Sequence, residues 1–253
     1  MTAQVLAEIE AYLDAVPRPV ATTVECGPFT IFVPSPETAW PFYARPRLGL
    51  DADITAGDVD GLLARQTELG LRHNLEWVDE VTPSLMPAVI QSVGDRAGRY
   101  PLLRRPPGPP PVEQPGVVVM TPDHPDLATV EGVVGSAFSD LDEPRLGTLT
   151  AQPGLIAEGY LIMVAAYEDG TVVGGGTAAP RGSVAELMGI GVLPRARSRG
   201  LGTAITRALV RAATAAGVET LFLSAGSDGA ASVYRAVAFE DVGTACILEL
   251  DDG

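Results

Sequence analysis

The segment Val192-Leu193-Pro194-Arg195-Ala196-Arg197-Ser198-Arg199-Gly200-Leu201-Gly202-Thr203 constrains this chain more than any other. An apolar run, Leu187 to Leu193, leads into it, and an amphipathic segment, Ala204 to Ala216, leaves it. That order reads as strand, tight basic loop, helix. Gly200 and Gly202 let a ligand approach the backbone and leave the N–H groups of the first helical turn accessible. Those groups lack intrahelical partners and carry the positive end of the helix dipole, so the loop suits an anion. Arg195, Arg197 and Arg199 add three cations, and a phosphate ligand follows.

Two phosphate loops can be tested against the segment. Gly-x-x-x-x-Gly-Lys-Ser/Thr is excluded because the chain contains no lysine. Gly-x-Gly-x-x-Gly directly after a strand is excluded because three arginine positions precede only two glycines. What remains is Arg197-x-x-Gly200-x-Gly202. This resembles the Arg/Gln-x-x-Gly-x-Gly/Ala signature of the GNAT superfamily, acyl-CoA-dependent N-acyltransferases whose loop holds the CoA pyrophosphate. The resemblance covers Val117 to Gly253. It implies a mixed-sheet α/β (α+β) fold, acetyl-CoA as co-substrate, and a cofactor site at Val192, Leu193, Arg197, Ser198, Arg199, Gly200, Leu201, Gly202 and Thr203.

The surroundings fit that order. Val117 to Met120 reads as a strand and Leu127 to Phe138 as a helix, with Asp123 or Asp126 as its cap. Leu161 to Tyr167 and Thr171 to Thr177 flank Glu168-Asp169-Gly170, a strong hairpin signal. Ala185 to Leu193 feeds the loop, Val218 to Ser224 is the next strand, Gly229 to Ala236 a helix and Cys246 to Leu250 a last strand.

Arg104 to Gly116 is proline-rich, semi-rigid and extended. It divides residues 1–105 from 117–253, with 106–116 as linker. In the first part, Ala3 to Val16 suits a helix. Thr30 to Val33, Ala39 to Leu48, Asn74 to Val78 and Tyr100 to Leu103 read as strands. Thr55 opens a helix through Leu69 with Gly70 as its stop, and Ser84 to Val93 is a second helix. Leu62 through Gly70 to Leu75 lines up with Leu209 through Gly217 to Phe222. On that shift Asp53 and Thr55 stand where Gly200 and Gly202 stand, and Pro87 stands where Tyr234 stands. A carboxylate in place of a glycine repels phosphate. The first part therefore reads as a partial, degenerate GNAT-like lobe without a CoA site. It would serve stability, a homodimer contact or acceptor recognition, with Trp40, Phe42 and Trp77 as core or wall residues.

Acyl transfer to an amine needs a deprotonated amine, a polarised thioester carbonyl and a proton for the departing thiolate. Tyr234 lies in Ala230-Ala231-Ser232-Val233-Tyr234-Arg235-Ala236-Val237-Ala238-Phe239, which resembles the family's Ala-x-x-x-Tyr-x-x-x-Gly-Phe pattern with Ala238 in place of glycine. The resemblance makes Tyr234 the acid; the plain alternative is a ring packed on the sheet. Ser227 stands where the family often has asparagine. Glu186, eleven residues before Arg197, holds the place of a general base in several family members; its alternative is a strand-end carboxylate in water. Alternation puts Glu186, Met188 and Ile190 on one face. The resemblance also implies a backbone N–H near Gly191 or Val192 for the thioester carbonyl, and an acceptor pocket along Phe138 to Glu143.

The net charge of −15 argues against nucleic acid as a partner. No apolar run approaches the roughly 18 residues of a membrane span, and the N-terminus lacks a basic signal region. Cys26 and Cys246 form no disulfide framework, and His73 and His124 alone offer no metal-ligand spacing. The expectation is a cytoplasmic, metal-free N-acetyltransferase acting on a small-molecule amine by direct transfer in a ternary complex. A non-catalytic acyl-CoA-binding module is the alternative.

Overall fold

The computed structural model describes residues 2–35, 42–144 and 152–250. The chain is mixed α/β and divides into two compact units. One contains residues 1–102, 224–227 and 241–253; the other contains 103–223 and 228–240.

The first unit opens with helix α1 (Thr2–Ala15), followed by strands β1 (Ala21–Cys26), β2 (Phe29–Pro34) and β3 (Arg45–Pro46). These strands form an antiparallel sheet in the order β1-β2-β3. Helix α2 (Ala56–Glu68), strand β4 (His73–Val78), helix α3 (Leu85–Val93) and strand β5 (Gly98–Arg105) follow. Of the strand expected over Ala39 to Leu48, Arg45–Pro46 pairs with β2 and Ala44 forms an isolated parallel bridge with Leu75, while residues 39–41, Trp40 among them, lie outside the described residues. Pro46 has no N–H to extend a ladder, and the chain turns where the Leu50 amide donates to the Arg47 carbonyl. Strand β1 had no sequence expectation, because its Thr-Thr-Val-Glu core buries no residue fully.

Thr55 caps α2 in a reciprocal box. Its hydroxyl oxygen accepts from the Asp58 amide at 3.3 Å, and the Asp58 carboxylate accepts from the Thr55 amide at 2.9 Å. Gly70 ends the helix at φ +68°. Val59 and Leu62 lie in a core with Phe29, Ile31, Leu75, Trp77, Val89, Cys246 and Leu248. The last two belong to strand β11 (Glu240–Leu250), which pairs antiparallel with β4. The C-terminal strand is thus grouped with the first unit. Arg45 is buried between Glu76, at 2.5 Å, and Glu10, at 3.4 Å. Burial raises the Glu76 carboxyl above its usual range, with Arg45 opposing that shift.

In the second unit, strand β6 (Val117–Val119) and helix α4 (Leu127–Phe138) precede the short helix α5 (Gln152–Ala157). Strands β7 (Ile162–Glu168), β8 (Thr171–Arg181) and β9 (Val184–Val192) follow, then a 3-10 turn at Pro194–Ala196. Helix α6 (Leu201–Ala215), strand β10 (Thr220–Ser224) and helix α7 (Asp228–Arg235) complete the unit. Its strands run in the order β10-β9-β8-β7-β6, antiparallel except for the β9–β10 pair. The β7–β8 turn is made by Asp169 at φ +48° and Gly170 at φ +75°, a primed two-residue turn. Asp126 is the N-cap residue of α4 but gives no capping bond; its carboxylate accepts instead from the Tyr167 hydroxyl at 2.7 Å.

Three consecutive glycines on β8 let helices pack on both faces of the sheet. A Cβ at Gly175 would lie 2.5 Å from Val130 of α4, and one at Gly176 would lie 3.1 Å from Ile205 of α6. The first is closer than side chains come and the second requires Ile205 to give way, so these glycines set how closely α4 and α6 approach. Leu127, Val130, Val133 and Leu193 form the core on the α4 face.

Candidate active site

The strand that feeds the loop is not regular. Gly175 pairs with Gly191 and Thr177 with Met188, so three residues of β9 span the interval that two residues span on β8. The extra residue is a β-bulge, with Gly189 at φ +58°. The bulge corrects the simple alternation expected for this strand. Directly paired residues share a face, so Glu186, opposite Ala179, and Met188, opposite Thr177, lie on the α4 face. Ile190 is sent to the α6 face, where it would meet a Cβ at Gly176 at 2.9 Å. A bulge also leaves backbone groups out of the ladder, and it occurs where the thioester carbonyl is expected to find an N–H.

Beyond the bulge, the Leu193 side chain is fully buried in the α4-face core, so only its backbone faces the loop. The turn closes with the Ala196 amide on the Leu193 carbonyl at 2.9 Å. Ser198 at φ +62° and Gly200 at φ +79° then bring the chain into α6. Left-handed backbone at a serine costs of order 1 kcal/mol, and such strain collects at ligand-binding loops. Gly200 is the N-cap residue and supplies no side-chain cap. The amides of Leu201, Gly202 and Thr203 fall in the first turn, where no intrahelical acceptor exists. The first helical bond runs from the Ala204 amide to the Gly200 carbonyl.

The three arginines have protein partners. The Arg197 guanidinium donates to the Val192 carbonyl at 3.0 Å, the Ala137 carbonyl at 2.8 Å and Asp140 at 2.6 Å. It fastens the loop to the C-terminus of α4, where a cation is favoured by the helix dipole. Arg199 donates to Glu168 at 2.7 Å, and the backbone N–H of Arg195 donates to Asp142 at 2.7 Å. The Arg197 and Arg199 charges are thus balanced by carboxylates, while the Arg195 guanidinium donates to the Asp142 backbone carbonyl. The anion-binding capacity of the loop rests on backbone N–H groups more than on arginine side chains.

Helix α7 meets the first turn of α6: a Cβ at Gly202 would lie 3.7 Å from Val233, the neighbour of Tyr234. The end of α7 fixes Tyr234 by backbone geometry. The Phe239 amide donates to the Tyr234 carbonyl at 3.2 Å, and the Ala238 amide to the Arg235 carbonyl at 3.1 Å. Ala238 is at φ +66°. This is a Schellman termination, in which the left-handed residue is usually glycine, and it gives the physical reason for glycine in the related pattern. The accompanying hydrophobic contact is an edge-on packing of the Tyr234 and Phe239 rings, centroids 6.2 Å apart. The Tyr234 hydroxyl has no hydrogen-bond partner among the described residues, and burial pushes its phenol above the ordinary value. It is a protonated donor at neutral pH.

Glu186 is half-buried in β9, between Ala179 of β8 and Phe222 of β10. The loop, the bulge, Glu186 and Tyr234 all belong to the second unit. What the sequence reading missed is the Gly174-Gly175-Gly176 run, a visible signal of close helix approach, and Glu131 on α4, which carries no motif.

Residues 135–239 match the family model described as acetyltransferase (GNAT) family. They form a GNAT acetyltransferase domain. Among solved structures, a GCN5-related N-acetyltransferase from Kribbella flavida superposes with a TM-score of 0.75 at 22% identity, over 98% of this chain and 96% of that one. A GCN5-related N-acetyltransferase-like protein from Streptococcus suis superposes with a TM-score of 0.57 at 10% identity, over 99% and 100% of the two chains. These likenesses show a GNAT fold with an additional N-terminal lobe. No curated protein matches the chain. No helix among the described residues is long and apolar enough to cross a membrane.

Proposed function

We propose that the protein is an acetyl-CoA-dependent N-acetyltransferase that moves an acetyl group to a small-molecule amine by direct transfer in a ternary complex. The observation that carries this reading is the uncapped start of α6, where Gly200 leaves the first-turn amides to an anion beside the helix that bears Tyr234. The CoA pyrophosphate would sit on the amides of residues 199–203, and the pantetheine arm along Val192 and the Leu193 backbone. The bulge in β9 would present an N–H to the thioester carbonyl, and Tyr234 would protonate the departing thiolate. Glu186, directly or through water, would accept the amine proton.

With β6 and α5 set aside, the element order of residues 2–105 recurs along residues 127–250: α1, two strands, β3, α2, β4, α3, β5 against α4, β7, β8, β9, α6, β10, α7, β11. Val59, Leu62 and Gln66 are buried on α2; 147 positions later, Thr206, Leu209 and Ala213 are buried on α6. In that frame α2 begins two residues late, and the Thr55–Asp58 capping box stands at the helix start that Gly200 leaves uncapped at α6. We read this half as a lobe that binds no CoA. Calorimetric titration with CoA should give about one site per chain, and acetyl-CoA with a panel of amines should release free thiol. Absence of CoA binding refutes the function. Two sites per chain refute the reading of the first unit. Bound CoA without thiol release from any amine would favour the acyl-CoA-binding module.

A further inference from the structure

The acids expected to meet an amine, within Phe138 to Glu143, are mostly committed elsewhere: Asp140 to Arg197 and Asp142 to Arg195. Another carboxylate is better placed. On α4, residues 131, 134 and 138 are three, four and seven apart and form one stripe along the helix. Its middle member, Val134, packs on the bulge: its Cγ1 lies 3.6 Å from a Cβ built at Gly189, and its Cα 3.5 Å from one built at Gly191. Glu131 and Phe138 therefore flank the part of β9 where the acyl group would be held. Phe138 is 69% exposed, the highest value for an aromatic side chain among the described residues.

Glu131 is under-bonded. Its Oε1 accepts from the Gln152 amide at 2.8 Å, while Oε2 is screened from water and has no partner among the described residues. A carboxylate in that state is costly unless a further donor completes it. The Gln152 amide is a neutral donor on α5, a six-residue helix with no fully buried residue that rests on the α4-face core through Ile156, so a cation can outcompete it at Oε1. Burial raises the Glu131 carboxyl, and Gln152 opposes the shift, consistent with a group that gains from a cationic partner.

We propose that Glu131 is the docking group for a cationic acceptor: an ammonium displaces the Gln152 amide from Oε1, and the acceptor's apolar substituent lies along Val134 and Phe138. The acceptor class is then an aliphatic amine with an aryl or alkyl arm, such as a phenethylamine. This rests on the function proposed above and names the chemistry of its second substrate.

The test uses the full chain with acetyl-CoA, phenethylamine as the cationic probe, methylamine as the armless one and aniline as a neutral one. Glu131→Gln should raise KM for phenethylamine at least tenfold, with KM for acetyl-CoA and the response to aniline within twofold of wild type. Gln152→Ala removes the competing donor and should lower KM for phenethylamine, an effect no structural role of Glu131 would give. Phe138→Ala, at an exposed site, should raise KM for phenethylamine but not for methylamine. If Glu131→Gln does not fold, the other two variants decide. Unchanged KM in the variants, with wild-type CoA binding and amine acetylation intact, overturns this inference alone. Wild-type protein that binds CoA but neither binds nor acetylates phenethylamine also overturns it. Failure of CoA to bind would instead overturn the function beneath it.

Discussion

Gly200→Asp isolates the step on which cofactor binding depends. At φ +79° and ψ 4° the residue is left-handed, a conformation that aspartate tolerates better than most residues. A Cβ there meets no atom within 4 Å, so the side chain enters open space. A carboxylate at a helix N-terminus gains about 0.3–1 kcal/mol, which offsets part of the backbone cost. Stability should therefore stay within about 1 kcal/mol of wild type. Binding should not. A carboxylate about 5 Å from one pyrophosphate charge costs about 3 kcal/mol at an effective dielectric near 20. That corresponds to roughly a 100-fold loss of CoA affinity, and more when both phosphates are counted. Calorimetry with CoA, paired with a thermal melt, separates binding from folding. Gly200→Ala is the control, since it carries the backbone strain without the charge. A folded Gly200→Asp variant that binds CoA within threefold of wild type would falsify the assignment of the loop.

Tyr234→Phe should lower kcat by about 10²-fold or more while KM for acetyl-CoA stays within twofold, because only the proton donor is lost; equal turnover rejects the role. Burial holds this phenol above its ordinary value, so its loss of activity on ionisation should fall above about pH 10. Ala238→Gly relieves about 1–2 kcal/mol of left-handed strain against about 0.4–1 kcal/mol of added unfolded-chain entropy. Denaturant titration should therefore show a small net stabilisation, and a destabilised variant would contradict the termination geometry. Cys246 and Tyr167 are both pushed up to about 12, chiefly by burial, and Tyr43 is raised by burial and by Glu249. Raised folded values favour the neutral forms. Their stabilisation is complete below the unfolded values, about 8.5 for cysteine and 10 for tyrosine, and is lost as pH rises toward 12. Chemical denaturation at pH 8 and pH 11 should show that loss, and equal midpoints would refute it.

The parts of the fold written in local chemistry were legible. Thr55 with Asp58, Gly70 and the Asp169-Gly170 turn each satisfy a backbone requirement within a few residues of themselves. The loop was legible because its glycines and arginines form one short motif between a strand and a helix. Three features depended on partners far along the chain. The bulge at Gly189 arises from register against β8, which period-two alternation cannot show. The roles of the arginines depend on Asp140, Asp142 and Glu168, 31 to 57 residues away. The placement of β11 beside β4 joins residues about 170 positions apart, with nothing local in either strand to announce the pairing.

The two units show how a small change at a helix start can separate binding from scaffolding. Helices α2 and α6 bury corresponding faces and stop at corresponding glycines, Gly70 and Gly217, both with positive φ. Their N-termini differ in who satisfies the first-turn amides. At α2, the Thr55 hydroxyl accepts from the Asp58 amide and the Asp58 carboxylate from the Thr55 amide, contributing about 1 kcal/mol to folding and putting a carboxylate beside the helix start. At α6, glycine forgoes that contribution, and the amides stay available to a ligand that the fold does not contain. On the function proposed above, the better-capped helix is the one without a CoA. On the same shift Pro87 aligns with Tyr234, but it is the third residue of α3 whereas Tyr234 is next to last in α7. What the first unit does show is packing: Trp77, on β4, is fully buried in its core.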